Sequence, residues 1–247
     1  MELHVEEAMK KPFDVDRRRF LKATGVAGTG LLAAGRLGAL AGEPQGKEGA
    51  PEEAGVTPAE DLMREHGVLK RILLVYREAI RRVDSGQDLP PQPLSDAAGI
   101  IRRFIEEYHE KLEEDHLFPR FKKAGKLADL VDILARQHQA GRTITERVLR
   151  LASAEAIKSP GDRKELAEDL RLFIRMYEPH EAREDTVLFP ALRTVFNPRE
   201  YDVLGDAFED KEHELFGEDG FEKMVDRVAG IEKVLGIYDL SEFTPKI

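Results

Sequence analysis

Two segments of the sequence carry the same pattern of histidine and glutamate. Both read H-E-x-x-E-x-x-x-L-F-P, once from His109 and once from His180. Residues four apart project from the same face of a helix, so each histidine lies one turn from the glutamate of its motif, Glu113 or Glu184. Imidazole nitrogens and carboxylate oxygens are ligands of divalent transition metals. The pattern therefore predicts metal binding by side chains of two helices.

A single histidine precedes each motif at nearly the same distance. His66 lies 43 positions before His109, and His138 lies 42 positions before His180. A repeat of about 70 residues indicates an internal duplication, here of a helical hairpin. Two hairpins that carry the same residues pack naturally as a four-helix bundle.

The six side chains also limit the number and kind of metal ions. Apolar residues surround the motifs, so the ligands are predicted to face the core, where an unpaired carboxylate is strongly unfavourable. Four imidazoles and two bridging carboxylates would give each of two ions two nitrogens and two oxygens. Such sets, with solvent in open positions, suit iron or manganese better than closed tetrahedral zinc. Two iron ions are the prediction, with zinc and manganese as alternatives.

The arrangement resembles the hemerythrin-like HHE cation-binding domain over residues 57–195. The resemblance rests on six positions in order: His66, His109, Glu113, His138, His180 and Glu184. It implies an up-down four-helix bundle that holds a carboxylate-bridged di-iron centre. The first two histidines would serve one iron, the other two histidines the second iron, and the glutamates would be the bridges.

One position departs from the oxygen-carrying members of this family. They place a further histidine one turn after the third-helix histidine, where this sequence has Arg142. Some relatives supply an extra carboxylate from the glutamate beside the second-helix histidine, here Glu110. The resemblance implies Glu110 as an additional ligand, and a surface charge is the alternative. An extra carboxylate favours oxidised iron and so argues against reversible oxygen carriage.

Three further side chains are candidates for lining the metal pocket. Tyr108 and Tyr177 precede the two motifs and could donate hydrogen bonds to a ligand, with simple packing as the alternative. His116 lies seven residues after His109, and it either lines the pocket or contacts solvent at the end of the bundle. His213 lies in a charged segment, which predicts a solvated face.

The apolar spacing from Thr57 onward predicts helices and no strand. The first helix is predicted to begin at Thr57-Pro58 and the second at Ser95. The third is predicted over residues 127–156 and the fourth over residues 160–189. Leu172, Phe173, Met176 and Val187 are expected on the inward face of the fourth helix.

The last part of the chain, residues 196–247, is predicted to form additional helices that pack on the bundle. Asn197 is the predicted cap of the first of them, and the second covers about residues 220–235. The predicted fold class is thus all-α: an up-down four-helix bundle with additional C-terminal helices. The sequence indicates no function for this extension.

The first 41 residues have the three parts of a secretory signal. A basic segment, Arg17-Arg18-Arg19-Phe20-Leu21-Lys22, precedes a short apolar run, and Ala39-Leu40-Ala41 follows. The paired arginines resemble a twin-arginine signal, which implies the twin-arginine export machinery as a partner and a periplasmic or otherwise exported location. Residues 42–56 are rich in Gly, Pro and Glu and are predicted to be a flexible leader.

Composition narrows the function further. The 247 residues include no cysteine, which excludes thiolate metal sites and iron–sulfur clusters. A formal net charge of −10 argues against a nucleic-acid partner, and the early apolar run is too short for a stable membrane span. The predicted function is an exported non-haem di-iron protein that binds or reacts with O2, NO or peroxide. A non-catalytic iron-holding, oxygen-holding or sensing module is the alternative, and turnover is left open.

Overall fold

The computed structural model describes residues 56–246, which contain helices and no strand. The predicted signal over residues 1–41 lies outside the described residues, as does the predicted leader except for Val56. Within the described part, six helices follow one another along the chain, and four of them form the bundle. The all-α prediction is confirmed.

The bundle consists of two helical hairpins. The first hairpin contains α1 (Pro58–Asp84) and α2, and the second contains α3 (Ala128–Leu151) and α4 (Pro160–Arg183). Helix α2 has five contiguous segments: the α-helical Pro91–Ile100, Glu110–Leu112 and Phe118–Ala124 alternate with the π-helical Ile101–His109 and Glu113–Leu117. Helices α1 and α3 each contact both α2 and α4, so the four helices surround a common core.

Four of the six helices begin at a proline, among them α2 and α4. Helix α2 begins at Pro91, one turn before the predicted start at Ser95, because proline fits the first helical turn, where its missing N–H is not needed. Helix α4 begins at Pro160 as predicted, and the N–H of Asp162 donates to the hydroxyl of Ser159. The α-helical part of α3 ends at Leu151, earlier than the sequence indicated.

The buried face of α4 includes the predicted Phe173 but not the predicted Leu172. Leu166, Leu170, Phe173 and Tyr177 are buried and recur at steps of three and four residues. Leu172 lies off this stripe and is 53% exposed, so its predicted inward position is wrong. Adjacent residues point about 100° apart on a helix, and the buried stripe is therefore set by Phe173.

A π-helical turn, Glu184–Leu188, and a short 3-10 helix, Phe189–Thr194, follow α4. Helices α5 (Pro198–Phe216) and α6 (Gly220–Leu235) then pack against the bundle. Asn197 caps α5 as predicted, with a reciprocal bond to Glu200. Arg71 of α1 makes two hydrogen bonds to the carboxylate of Glu232, at 3.0 and 2.6 Å.

None of the helices among the described residues is both long enough and apolar enough to cross a membrane.

Candidate metal centre

Four histidines, one from each helix of the bundle, meet in its interior. Nε2 of His66 lies 3.1 Å from Nε2 of His109. The rings of His138 and His180 have centroids 5.0 Å apart. All four side chains are buried, with at most 4% exposure. The structure thus places the predicted histidines in two pairs, one from each hairpin.

The first motif glutamate lies between the two pairs. Oε2 of Glu113 is 3.9 Å from Nε2 of His109, on the same helix. The same oxygen is 3.4 Å from Nε2 of His138, in the other hairpin. Glu113 therefore reaches one imidazole of each pair.

The second motif glutamate makes the equivalent contacts. Oε2 of Glu184 lies 3.1 Å from Nε2 of His180 and 3.4 Å from Nε2 of His66. Both glutamates thus lie between the two histidine pairs. Glu184 lies close enough to each histidine pair for the three side chains to share a cation.

The two carboxylates contact imidazoles without forming well-aligned hydrogen bonds. Glu113 and Glu184 are fully buried, and their oxygens make no regular hydrogen bond within the described residues. Burial and the neighbouring Glu184 raise the pKa of Glu113 well above its usual range. Burial opposes ionisation of Glu184 as well, but His180 and His66 hold its pKa well below the usual range. Buried carboxylates that face imidazole nitrogens fit divalent cations, which would supply the missing positive charge.

The histidine of α1 and that of α3 are each oriented by the opposite hairpin. Nδ1 of His66 lies 2.7 Å from Oδ1 of Asp185, and Nδ1 of His138 lies 3.1 Å from Oε1 of Glu114. Each acidic residue comes directly after the glutamate of its motif. These contacts were not predicted, although the matching positions in the repeat were visible in the sequence.

The two motif histidines are oriented within their own hairpin. Nδ1 of His109 lies 2.7 Å from Oε2 of Glu65, and Nδ1 of His180 lies 2.9 Å from Oε1 of Gln137. Glu65 directly precedes His66, and Gln137 directly precedes His138. These two contacts were not predicted from the sequence. With Nδ1–H donating to these oxygens, the lone pair of Nε2 is available to a metal.

The phenylalanines of the L-F-P segments pack on the same rings. Phe118 stacks on His138 and Phe189 stacks on His66, each with centroids 5.4 Å apart. Each stack joins a motif of one hairpin to a histidine of the other. This packing gives the repeated L-F-P segment a structural role in holding the imidazoles.

A π-helical turn begins at each motif glutamate. The backbone N–H of Phe118 bonds to the carbonyl oxygen of Glu113, five residues earlier, and that of Phe189 bonds to the carbonyl oxygen of Glu184. Such turns are rare and are frequent at functional sites. The duplication thus extends to backbone geometry, which the sequence reasoning did not foresee.

Glu110 lies inside the bundle with 1% exposure, so the surface-charge alternative is wrong. The hydroxyl of Tyr177 donates to its Oε1 at 2.6 Å, and Nη2 of Arg142 lies 2.8 Å from its Oε2. Burial raises the pKa of Glu110 to about 8, against the opposing effects of Tyr177 and Arg142. Glu110, Glu114 and His138 are close enough to share a cation, and Arg142 pairs with both of these carboxylates. A metal-ligand role for Glu110 stays a prediction.

The other candidate residues divide into buried and exposed ones. Tyr108 is buried and donates to Oε1 of Glu65 at 2.9 Å, so both tyrosines bond to carboxylates beside the histidines. His116 is exposed, which agrees with the alternative that it contacts solvent. Its ring centroid lies 6.0 Å from that of Phe208. His213 is exposed on α5, as its charged neighbours indicated.

Comparison with known proteins identifies close relatives of this chain. Uncharacterized proteins from two strains of Mycobacterium tuberculosis and one of Mycobacterium bovis are 51% identical over 240 residues. The alignments cover 95% of this chain and 92% of each relative. No solved structure shows a significant similarity to it.

The hemerythrin HHE cation-binding domain matches residues 57–192 and, in a second alignment, residues 129–240. The first match spans both hairpins with all six histidine and glutamate positions described above. The second begins at the second hairpin, which agrees with the internal repeat. Membership of this family implies binding of metal ions such as iron. The match covers more than half of the chain and includes all six histidine and glutamate positions. The chain therefore belongs to the hemerythrin HHE cation-binding domain family.

Proposed function

We propose that this chain is an exported non-haem di-iron protein that binds or reacts with a small ligand such as O2, NO or peroxide. The observation that carries the proposal is the position of two buried carboxylates. Each of them lies within 4 Å of one imidazole of the first histidine pair and one imidazole of the second. Two ions can be held there with two nitrogens each and shared oxygens. Iron fits such a nitrogen and oxygen set with open positions.

Six residues would hold the ions. The first would be bound by the pair His66 and His109, the second by His138 and His180, and the bridges would be Glu113 and Glu184. Iron, when bound, would exchange electrons with the small ligand and act as a Lewis acid toward it. Glu110 is an additional ligand candidate for the second ion, once its contact with Arg142 is broken.

Other residues of the chain orient the ligands and exclude water. Glu65, Glu114, Gln137 and Asp185 hold the four Nδ1 atoms. Phe118 and its counterpart in the second repeat cover two of the imidazoles. Because the histidines are at most 4% exposed, the site suits a ligand of two or a few atoms better than a larger substrate.

A second candidate function is a non-catalytic module that holds iron or oxygen, or senses a ligand. It uses the same ligands and the same geometry. Tyr177 and Arg142 each contact one oxygen of Glu110, which makes Glu110 less available as a metal ligand. This arrangement favours the non-catalytic function, because an extra carboxylate ligand argues against reversible oxygen binding. The two functions differ only in whether the ligand is consumed.

The test is to load the purified protein with ferrous iron, count the metal per chain and follow its optical spectrum. O2, NO and hydrogen peroxide are then added and removed in turn. About two iron ions per chain, with spectra that respond to at least one of these ligands, are expected. Reversible spectra indicate carriage or sensing, and net consumption indicates an enzyme. Less than one ion per chain after loading would contradict both functions.

Export is tested separately. Residues 1–41 are fused to a reporter that is active only after transport of the folded protein, in a host with the twin-arginine machinery. We expect transport of the reporter, and loss of it when Arg17 and Arg18 are both replaced by lysine. Equal transport of the lysine variant would contradict the twin-arginine assignment.

A further inference from the structure

We propose that the two metal positions of this centre differ in affinity, and that Glu65 is the positioning residue that makes the His66/His109 position the stronger one. The inference rests on the proposed two-metal function. The two halves of the repeat differ in the residues that contact Nδ1 of the motif histidines.

The difference lies in one pair of equivalent residues. Glu65 places Oε2 2.7 Å from Nδ1 of His109, and Gln137 places Oε1 2.9 Å from Nδ1 of His180. The geometry of the two contacts is nearly the same. Glu65 can carry a negative charge and Gln137 cannot. The contact with Nδ1 is therefore present in both halves of the repeat, but its oxygen belongs to a carboxylate in the first half and to an amide in the second.

The partners of the other two histidines are the same in kind. Asp185, behind His66, also pairs with Lys70 at 3.1 Å. Glu114, behind His138, also pairs with Arg142 at 2.8 Å and with Lys111 at 3.0 Å. Both of these residues are acids. The two metal positions therefore differ in the chemical type of the partner only where Glu65 corresponds to Gln137.

Glu65 is held by a residue that also meets the C-terminal extension. The hydroxyl of Tyr108 donates to Oε1 of Glu65 at 2.9 Å and lies 3.5 Å from Oε2 of Glu212 on α5. Glu212 in turn accepts the backbone N–H of Phe221 on α6. Glu65 and Glu212 are both buried. The C-terminal extension therefore contacts Tyr108, the residue that donates a hydrogen bond to Glu65.

A carboxylate behind a metal-binding imidazole raises its basicity and fixes its ring. Removing such a partner typically lowers metal affinity by about 10- to 100-fold. An amide fixes the ring in the same way and contributes no charge. We therefore expect the His66/His109 position to bind a divalent ion about tenfold more tightly than the His138/His180 position.

The test uses Zn²⁺, which has no redox chemistry of its own. The full chain is crystallised with one equivalent of Zn²⁺, and anomalous scattering at the zinc edge gives the occupancy of each position. Four proteins are compared: wild type, Glu65→Gln, Gln137→Glu and the double variant with both changes. Calorimetric titration of the same proteins gives the affinity of each step.

In the wild type, the zinc is expected mainly at His66/His109, by about tenfold. Glu65→Gln should bring the ratio toward one by weakening that position, and Gln137→Glu should do so by strengthening the other. The double variant should reverse the preference. A purely structural role of Glu65 would lower both occupancies together and would not reverse them.

Equal occupancy in the wild type, or a ratio unchanged in all variants, would overturn the inference while leaving the two-metal function intact. If no protein binds zinc or iron, the proposed function fails as well. Should Glu65→Gln fail to fold, Gln137→Glu decides the matter, because it alters an amide that is only partly buried.

Discussion

Oε2 of Glu113 lies 3.4 Å from Nε2 of His138, although the two residues belong to different hairpins. Glu184 makes the reciprocal contact with His66. The candidate metal centre is therefore formed by side chains of both hairpins. Neither hairpin alone could hold an ion with two nitrogens and two carboxylates.

The bridging carboxylates can be tested directly. Glu113→Gln and Glu184→Gln should each lose metal from both positions, because each carboxylate contacts one imidazole of each pair. The measurement is metal content per chain after iron loading and desalting. Glu106→Gln is the matched control, since Glu106 is a buried carboxylate of α2 that pairs with Arg102 instead. Full metal retention in the bridge variants would contradict the assignment.

Gly141 is expected to be essential for the position of Tyr177. A Cβ at this position would collide with the hydroxyl of Tyr177, which bonds to Glu110. We predict that Gly141→Ala lowers the free energy of unfolding by about 1–3 kcal/mol, measured by urea denaturation. Gly230→Ala is the control, because its Cβ meets nothing within 4 Å and alanine favours the helix by about 0.5–1 kcal/mol. Equal effects of the two substitutions would refute the close contact.

Metal uptake should release protons at neutral pH. Burial lowers the pKa of His66, but the contact with Asp185 and the nearby carboxylate of Glu184 outweigh it and raise that pKa to about 9. The pKa of Glu113 is also raised, by burial. His66 therefore holds a proton at pH 7 without metal, and metal binding must displace it; the raised pKa of Glu113 acts in the same direction.

This release can be followed with a pH indicator during Zn²⁺ titration in weak buffer. Above the pKa of about 9, His66 is already deprotonated, so its share of the release should disappear. His116→Gln, at an exposed position, serves as a control that should leave the release unchanged. Metal uptake at pH 7 without proton release would disprove these shifts.

The C-terminal helices should contribute measurably to stability. Arg71 bonds Glu232 of α6 through two nitrogens, and the carboxylate is almost fully buried. Since the guanidinium is partly exposed, we expect Arg71→Gln to lower the free energy of unfolding by about 1–2 kcal/mol. Arg81→Gln removes an equally short but exposed pair with Glu78 and should have no measurable effect. A null result for Arg71→Gln would show that this ion pair does not stabilise the packing of α6 on the bundle.

Much of the bundle could be predicted from the sequence because its signals are local. Apolar residues at steps of three and four indicated the helices, and the two H-E-x-x-E motifs indicated the duplication. Errors arose where local signals conflict. Leu172 is as apolar as its neighbour Phe173, and only packing against the other helices decided which of them is buried.

The sequence by itself determined the residue types at the centre, their order and their duplication, since these follow from spacing along one helix. Only the tertiary structure decided which side chain holds each Nδ1, and that Arg142 pairs with Glu110. Those contacts join residues of different helices, and their distances depend on the rotation and register of the packed helices. Helical periodicity fixes the face on which a residue lies, but it does not fix what that face meets.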